Sequence, residues 1–191
     1  MMPVISRRDL RRYGAIAGWL IGLALLAVFV LVRAAALLAD GFDNGCVETE
    51  NLKPAVELRL TGEPDPVTFD TSDRCFDTGI HLQSGELYEI ALAPAVLKEW
   101  KDGTIPAGPN GIGNWREHIS HPILIAGLPL RRHLSDNWFV LMGKIGRNGS
   151  SFRIGDGRKI RATATGRLYL HVNDAIWPFC GRSFFYDNNT G

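Results

Sequence analysis

The chain has 191 residues, 46% of them hydrophobic, with 21 basic against 20 acidic side chains. That length supports one ordinary core and crowds out a second independent domain. Of those totals, Arg7, Arg8, Arg11, Arg12, Arg33 and Asp9 belong to the N-terminal segment, which leaves 16 basic and 19 acidic residues elsewhere. A slightly acidic remainder of this kind argues against a nucleic-acid partner, whose backbone demands a basic face.

Residues 13–32 contain no charged side chain. Twenty helical residues at about 1.5 Å each cover roughly 30 Å, the thickness of a bilayer's hydrocarbon core. A helix satisfies its backbone amides internally, so this run reads as an uncleaved transmembrane signal anchor with the lipid bilayer as its partner. Four arginines precede it and Arg33 alone closely follows. The positive-inside bias then makes residues 1–12 cytoplasmic and sends the rest out of the inner (cytoplasmic) membrane, into the periplasm or the extracellular space. A cleaved signal peptide is the competing reading, with small residues at Ala34, Ala35 and Ala36, but the apolar run exceeds the usual length of about 7–15. Ser6-Arg7-Arg8-Asp9-Leu10 also partly fits a twin-arginine signal, although the same arginines satisfy plain charge bias.

Residues 33–50 read as a stem, because Asp40-Gly41-Phe42-Asp43-Asn44-Gly45 combines glycines with polar turn formers. Residues 51–191 form the domain. Strict alternation at residues 56–60, 80–82, 87–92 and 167–172 predicts half-buried strands. Residues 138–142 (WFVLM) are continuously apolar and predict a central strand closed by turns at Gly143 and Gly146. From Pro94 to Pro129 the many Gly and Pro residues predict an extended loop region of about thirty residues, long enough to be a binding face. The pattern as a whole predicts an all-β fold, a β-sandwich preceded by one transmembrane α-helix. Cys46, Cys75 and Cys180 in an exported domain leave room for one disulfide, in any of three pairings.

Three stretches carry a resemblance: residues 78–90 (TGIHLQSGELYEI), residues 140–146 (VLMGKIG) followed by Phe152-Arg153-Ile154-Gly155, and residues 166–174 (GRLYLHVND). Together they resemble the bacterial LecA-type (PA-IL-like) galactose-binding lectins, which are small jelly-roll β-sandwiches. The resemblance runs from about Thr78 to Tyr186 and implies a last strand at residues 183–186. It also implies a ligand site at the loop end beyond Asn173 and Asp174, with calcium as cofactor and a carbohydrate as partner. Asp174 would offer its carboxylate to the metal, since hard cations take oxygen ligands. The family follows its Asn-Asp pair with a loop holding a second Asn-Asn or Asp-Asn pair. The loop here, residues 175–181 (AIWPFCG), has none, so that Asp174 alone is expected to supply side-chain oxygen.

Trp177 and Phe179 beside Asp174 suit either stacking on a sugar ring or docking on an envelope protein. His118 and His121 have a spacing open to zinc but lack completing ligands nearby. No Gly-x-Ser-x-Gly elbow, cysteine-protease signature or phosphate-binding glycine loop occurs, which argues against an enzyme and leaves a hydrolase as the third class. The sequence therefore points to a membrane-anchored binding module, with an envelope interaction or assembly protein that kept the fold and lost the site as its alternative.

Overall fold

A computed structural model describes residues 7–42, 46, 67–92, 100–113, 120–177 and 184–191. The predicted strand at residues 56–60, and the residues His118, Phe179 and Cys180, lie outside that set. Among the described residues, an N-terminal helix, α1 (Arg7–Phe42), is followed by nine strands: β1 (Phe76–Leu82), β2 (Leu87–Ala91), β3 (Lys101–Asp102), β4 (Ile105–Pro106), β5 (Leu141–Ile145), β6 (Ser151–Arg153), β7 (Gly157–Arg161), β8 (Gly166–Val172) and β9 (Asn189–Thr190). A five-residue helix, α2 (Pro122–Ala126), and a 3-10 turn, Leu128–Leu130, precede β5. All strand pairs are antiparallel, in three sheets ordered β1-β8-β5-β6, β2-β7 and β4-β3-β9.

The alternating segments at 80–82, 87–92 and 167–172 fall in β1, β2 and β8 as their periodicity requires. Leu82 of β1, Leu141 and Ile145 of β5, and Leu168, Leu170 and Val172 of β8 form one core with Phe139, Trp100 and Tyr186. Tyr88 and Ile90 of β2 and Ile160 of β7 pack against it, so the core lies between the four-stranded sheet and the β2/β7 ribbon. The opposite strand positions of the four-stranded sheet are polar and still covered: Asp77, Lys144 and His171 are all buried.

The apolar run 138–142 does not make the strand its composition predicts. Phe139 adopts a positive φ of 62°, a conformation few non-glycine residues take, and β5 starts only at Leu141. The kink divides neighbours between cores: Phe139 enters the first, while Trp138 enters a second with Ile105, Ile112, Leu124 and Leu130. Gly143, expected to close the strand, lies in its interior. A Cβ at that position would stand 2.8 Å from both the Phe152 ring and Ile154, so the glycine admits those side chains to the core instead of turning the chain. Of the last strand expected at 183–186, the described residues 184–186 form a turn, and the chain pairs with β3 only from Asn189, in β9.

The helix does not end at Val32 or give way there to a stem; it continues as α-helix to Phe42. From Tyr13 to Gly41, 29 residues, the helix is long and apolar enough to cross a membrane. Its C-terminal quarter is docked on the domain. Ala36 is buried and Val32 packs beside it against the Leu124, Leu130 and Trp138 cluster. Arg33 donates to the carbonyls of Arg131 and Arg132. Arg132 answers with a two-pronged ion pair to Asp40, at 2.9 and 3.1 Å, and donates to the Arg74 carbonyl at 2.8 Å. Just past the helix, Cys46 is bridged to Cys75, leaving Cys180 outside that pair. In the chain-entropy account, a loop of 29 residues makes such a bridge worth about 3–4 kcal/mol.

The Arg132 side chain is 2% exposed and that of Asp40 22%. Removing one partner of a buried pair strands the other charge, at a cost of about 3–5 kcal/mol. The loss is therefore unequal: Asp40→Ala, which strands the more deeply buried guanidinium, destabilises the full chain more than Arg132→Met, which leaves a carboxylate able to hydrate. Denaturant unfolding of both variants in detergent measures the difference, and equal losses would contradict it.

Candidate functional site

Beyond β8 the chain enters Asn173 and Asp174, both buried. The Asn173 amide is wholly engaged in shaping the neighbouring loop. Its Nδ2 donates to the carbonyls of His133 and Asn137 at 2.9 Å and, more weakly, of Asp136, while its Oδ1 accepts from the His133 amide at 2.8 Å. Its contribution is to hold residues 133–137 against the end of the sheet.

Asp174 sits differently. One carboxylate oxygen accepts from the Ala175 amide at 2.6 Å and the other from Asn189 Nδ2 at 2.9 Å. Asn189 Nδ2 also donates to the Thr71 carbonyl at 3.2 Å, and the Thr71 amide donates to the Gly191 carbonyl. The β3/β9 pairing sets Asn189 opposite Asp102, whose carboxylate accepts from Asn188 Nδ2 at 3.1 Å. The turn that returns the chain to this point is fixed by Tyr186, whose hydroxyl donates to the Val172 carbonyl at 2.8 Å. Asp174, Asp102, Asn188, Asn189 and Thr71 thus gather at one end of the domain. Asp174, Asn189 and Thr71 form its floor and Asn188 its exposed rim.

Burial raises the Asp174 carboxyl to about 7, helped by the negative charge of Asp102 and opposed by its hydrogen bonds from Asn189 and Ala175. Burial raises Asp102 too, against the hydrogen bond from Asn188 and the charge of His121. Within the same floor, Thr71 Oγ1 and Asn189 Oδ1 are buried with no hydrogen-bond partner. Buried polar atoms are almost always paired, so two orphans beside two mutually repelling carboxylates form an electrostatically incomplete group. A bound hard cation completes such a set, since calcium takes six to eight oxygens from carboxylates, amide and hydroxyl groups and main-chain carbonyls. The residues fit that group by kind: two carboxylates, two amides and a hydroxyl. Among the described residues no three His, Cys, Asp or Glu side chains converge as they would around zinc.

Residues 175–181 hold no asparagine pair, but the adjacent Asn188-Asn189 is brought back to Asp174 and Asp102 by the turn at 184–188 and the β3/β9 pairing. The signal lay in the sequence as an adjacent Asn-Asn, but its partner Asp102 is 86 positions away, which no local pattern reveals. Trp177 is half-buried, packed on the second core and edge-to-face with Phe185 at 6.1 Å. It supports the turn that carries the asparagines.

No family model, curated protein or solved structure matches this chain. The site therefore has to be read from its own geometry.

A carboxyl whose folded value lies above its unfolded value of about 4 holds its proton more tightly in the native state. Its contribution to stability is present at low pH and is lost as pH rises towards and through about 7. In chelator, the wild-type domain is expected to lose melting temperature between pH 5 and pH 8, and Asp174→Asn to flatten that dependence. Parallel pH curves for the two proteins, followed by thermal melting, would refute the assignment.

Proposed function

We propose that this chain is a single-pass membrane protein whose extracytoplasmic jelly-roll β-sandwich is a non-enzymatic binding module. Its ligand site is the oxygen cluster of Asp174, Asp102, Asn188, Asn189 and Thr71. The observation that carries this reading is the pair of orphaned buried oxygens, Thr71 Oγ1 and Asn189 Oδ1, beside a carboxylate that burial and Asp102 hold near neutral pH. A divalent hard cation, calcium by its oxygen preference, is the group that turns this arrangement from repulsive to attractive. When bound, the cation supplies open coordination positions to hydroxyl pairs. The chain's own part is to hold the oxygens in place through Tyr186, Asn173 and the β3/β9 pairing. Envelope carbohydrate, rich in paired hydroxyls, is the ligand class, in keeping with the resemblance of residues 78–90, 140–146 and 166–174 to LecA-type lectins.

Orientation follows from the four arginines in the first turns of α1, ahead of its apolar run, and places the domain outside the cytoplasm on this reading. The bridge between Cys46 and Cys75 supports an oxidising compartment. A second reading, an assembly protein that retains the fold without metal or sugar, draws on the low exposure of Asp174 and Asn189, 2% and 4%.

Calcium separates the two. On the proposed reading, calcium in the low millimolar range raises the melting temperature of the detergent-solubilised chain by several degrees at pH 8. The rise is smaller at pH 5.5, where Asp174 is protonated, and is lost in Asn189→Ala. A calcium-dependent signal on a glycan array follows the same variants. A melting temperature indifferent to calcium at pH 8 would leave the assembly reading in possession.

A further inference from the structure

Helix α2 presents apolar residues on both of its sides. Leu124 points inward and is buried with Ala36, Leu130 and Trp138. Ile123 and Ile125 point outward, 66% and 48% exposed, flanked by exposed Pro122 and Ala126. From Pro122 to Leu130 no side chain is charged. A surface helix of a water-soluble domain turns its polar residues outward, so an apolar outer side marks contact with something other than water.

The place of α2 beside α1 identifies what that is. Val32 and Ala36 pack into the same cluster as Leu124 and Leu130, and Arg33 donates to the carbonyls that follow the 3-10 turn. With residues 13–32 in the hydrocarbon, Ala36 stands about 6 Å beyond its edge, at 1.5 Å per residue. The headgroup region on each side is about 5–7 Å deep, so α2 is held at its level. On α1 itself Leu37 and Leu38, at that same level, are 51% and 61% exposed. Exposed apolar side chains thus stand both on α2 and on the stretch of α1 that shares its buried cluster.

We propose that α2 is a membrane-interface wedge, with Ile123 and Ile125 seated in the lipid bilayer that α1 crosses. The proposal rests on the reading of α1 as a membrane anchor. Its occupant is the leaflet on the domain's side, into which apolar side chains of an interfacial helix enter by about 5–10 Å. The wedge gives the domain a second foothold beside its tether and turns one side of the molecule permanently towards the lipid.

The test uses the full chain reconstituted in liposomes, in a Cys180→Ala background, with an environment-sensitive fluorophore on a single introduced cysteine. Ile123→Cys and Ile125→Cys report on the wedge, Leu23→Cys on the middle of the anchor, and Leu87→Cys on an exposed apolar position of β2 away from it. Lipids carrying a nitroxide high on the acyl chain are expected to quench the labels at 123 and 125 at least threefold more than the label at 87, with blue-shifted emission. Lipids with a deep nitroxide are expected to quench the label at 23. If 23 is quenched and both 123 and 125 behave like 87, the anchor stands and the wedge fails. If 23 is also unquenched, the anchor reading fails and the wedge with it. Emission at 123 that is blue-shifted but unquenched by lipid, and that grows with the protein-to-lipid ratio, assigns the surface to a second copy of the chain and overturns the proposal.

Discussion

One residue, Arg132, joins parts of the molecule that are otherwise far apart in sequence. Its backbone amide donates to the Asp174 carbonyl at 2.9 Å, its guanidinium pairs with Asp40 at the end of α1, and a third donor reaches the Arg74 carbonyl ahead of β1. It also donates to the Tyr186 hydroxyl, which in turn holds β8 through Val172. A guanidinium with five donors in a fixed fork is suited to this, and a lysine's point charge is not. Leaving this cation buried and unpaired costs about 3–5 kcal/mol, so the junction leans on the helix end that brings Asp40. The C-terminal end of α1 is thereby part of the domain's fold.

The cationic centre has consequences for its neighbours on the polar side of the four-stranded sheet. His171 is completely buried, with its Nε2 3.4 Å from His133 Nε2. Burial first, and Arg132 second, lower both imidazoles, His133 to about 4 and His171 well below its ordinary value. Both stay neutral through the physiological range, which removes them as pH sensors and lets them pack as polar but uncharged groups. Lys144 is lowered to about 8 by burial and then by Arg132. The aggregate is one strongly held ion pair surrounded by groups pushed towards their neutral forms, the arrangement that limits the cost of burying so many titratable residues.

Alternation made β1, β2 and β8 legible because each has one side in the core and one side away from it, and residue type alone reports that. The composition of residues 138–142 misled for the same reason, since an apolar run reports burial and says nothing about a positive φ at Phe139 that divides the run between two cores. Glycine was read as a turn at Gly143, where it serves to admit Phe152. The choice of Cys75 as the partner of Cys46, and the return of Asn188-Asn189 to Asp102 and Asp174, depend on contacts between segments tens of residues apart. The helix runs on past Val32 and ends at Phe42, next to the glycine at 41 that the sequence marks as a helix end. Here Arg33, Ala36 and Asp40 make contacts that keep the last turns helical.

These long-range contacts also set how the candidate site stands to α1. The Asp174 carbonyl and the Asp40 carboxylate are held by the backbone and side chain of the same residue, so the chain of rigid connections from site to helix is one residue long. Motion of the domain against α1 would have to break the Arg132 pair, the Arg33 bonds and the Ala36 packing together, while the Cys46–Cys75 bridge limits how far the chain can part afterwards. A module built this way differs from one on a flexible linker, whose reach is set by chain length and which searches a volume. On the proposed reading of α1 as a membrane anchor, its site is confined to one height above the lipid and to one set of orientations. A ligand or partner would then be one that itself lies close to the membrane surface, and affinity would gain from this confinement without any further contact.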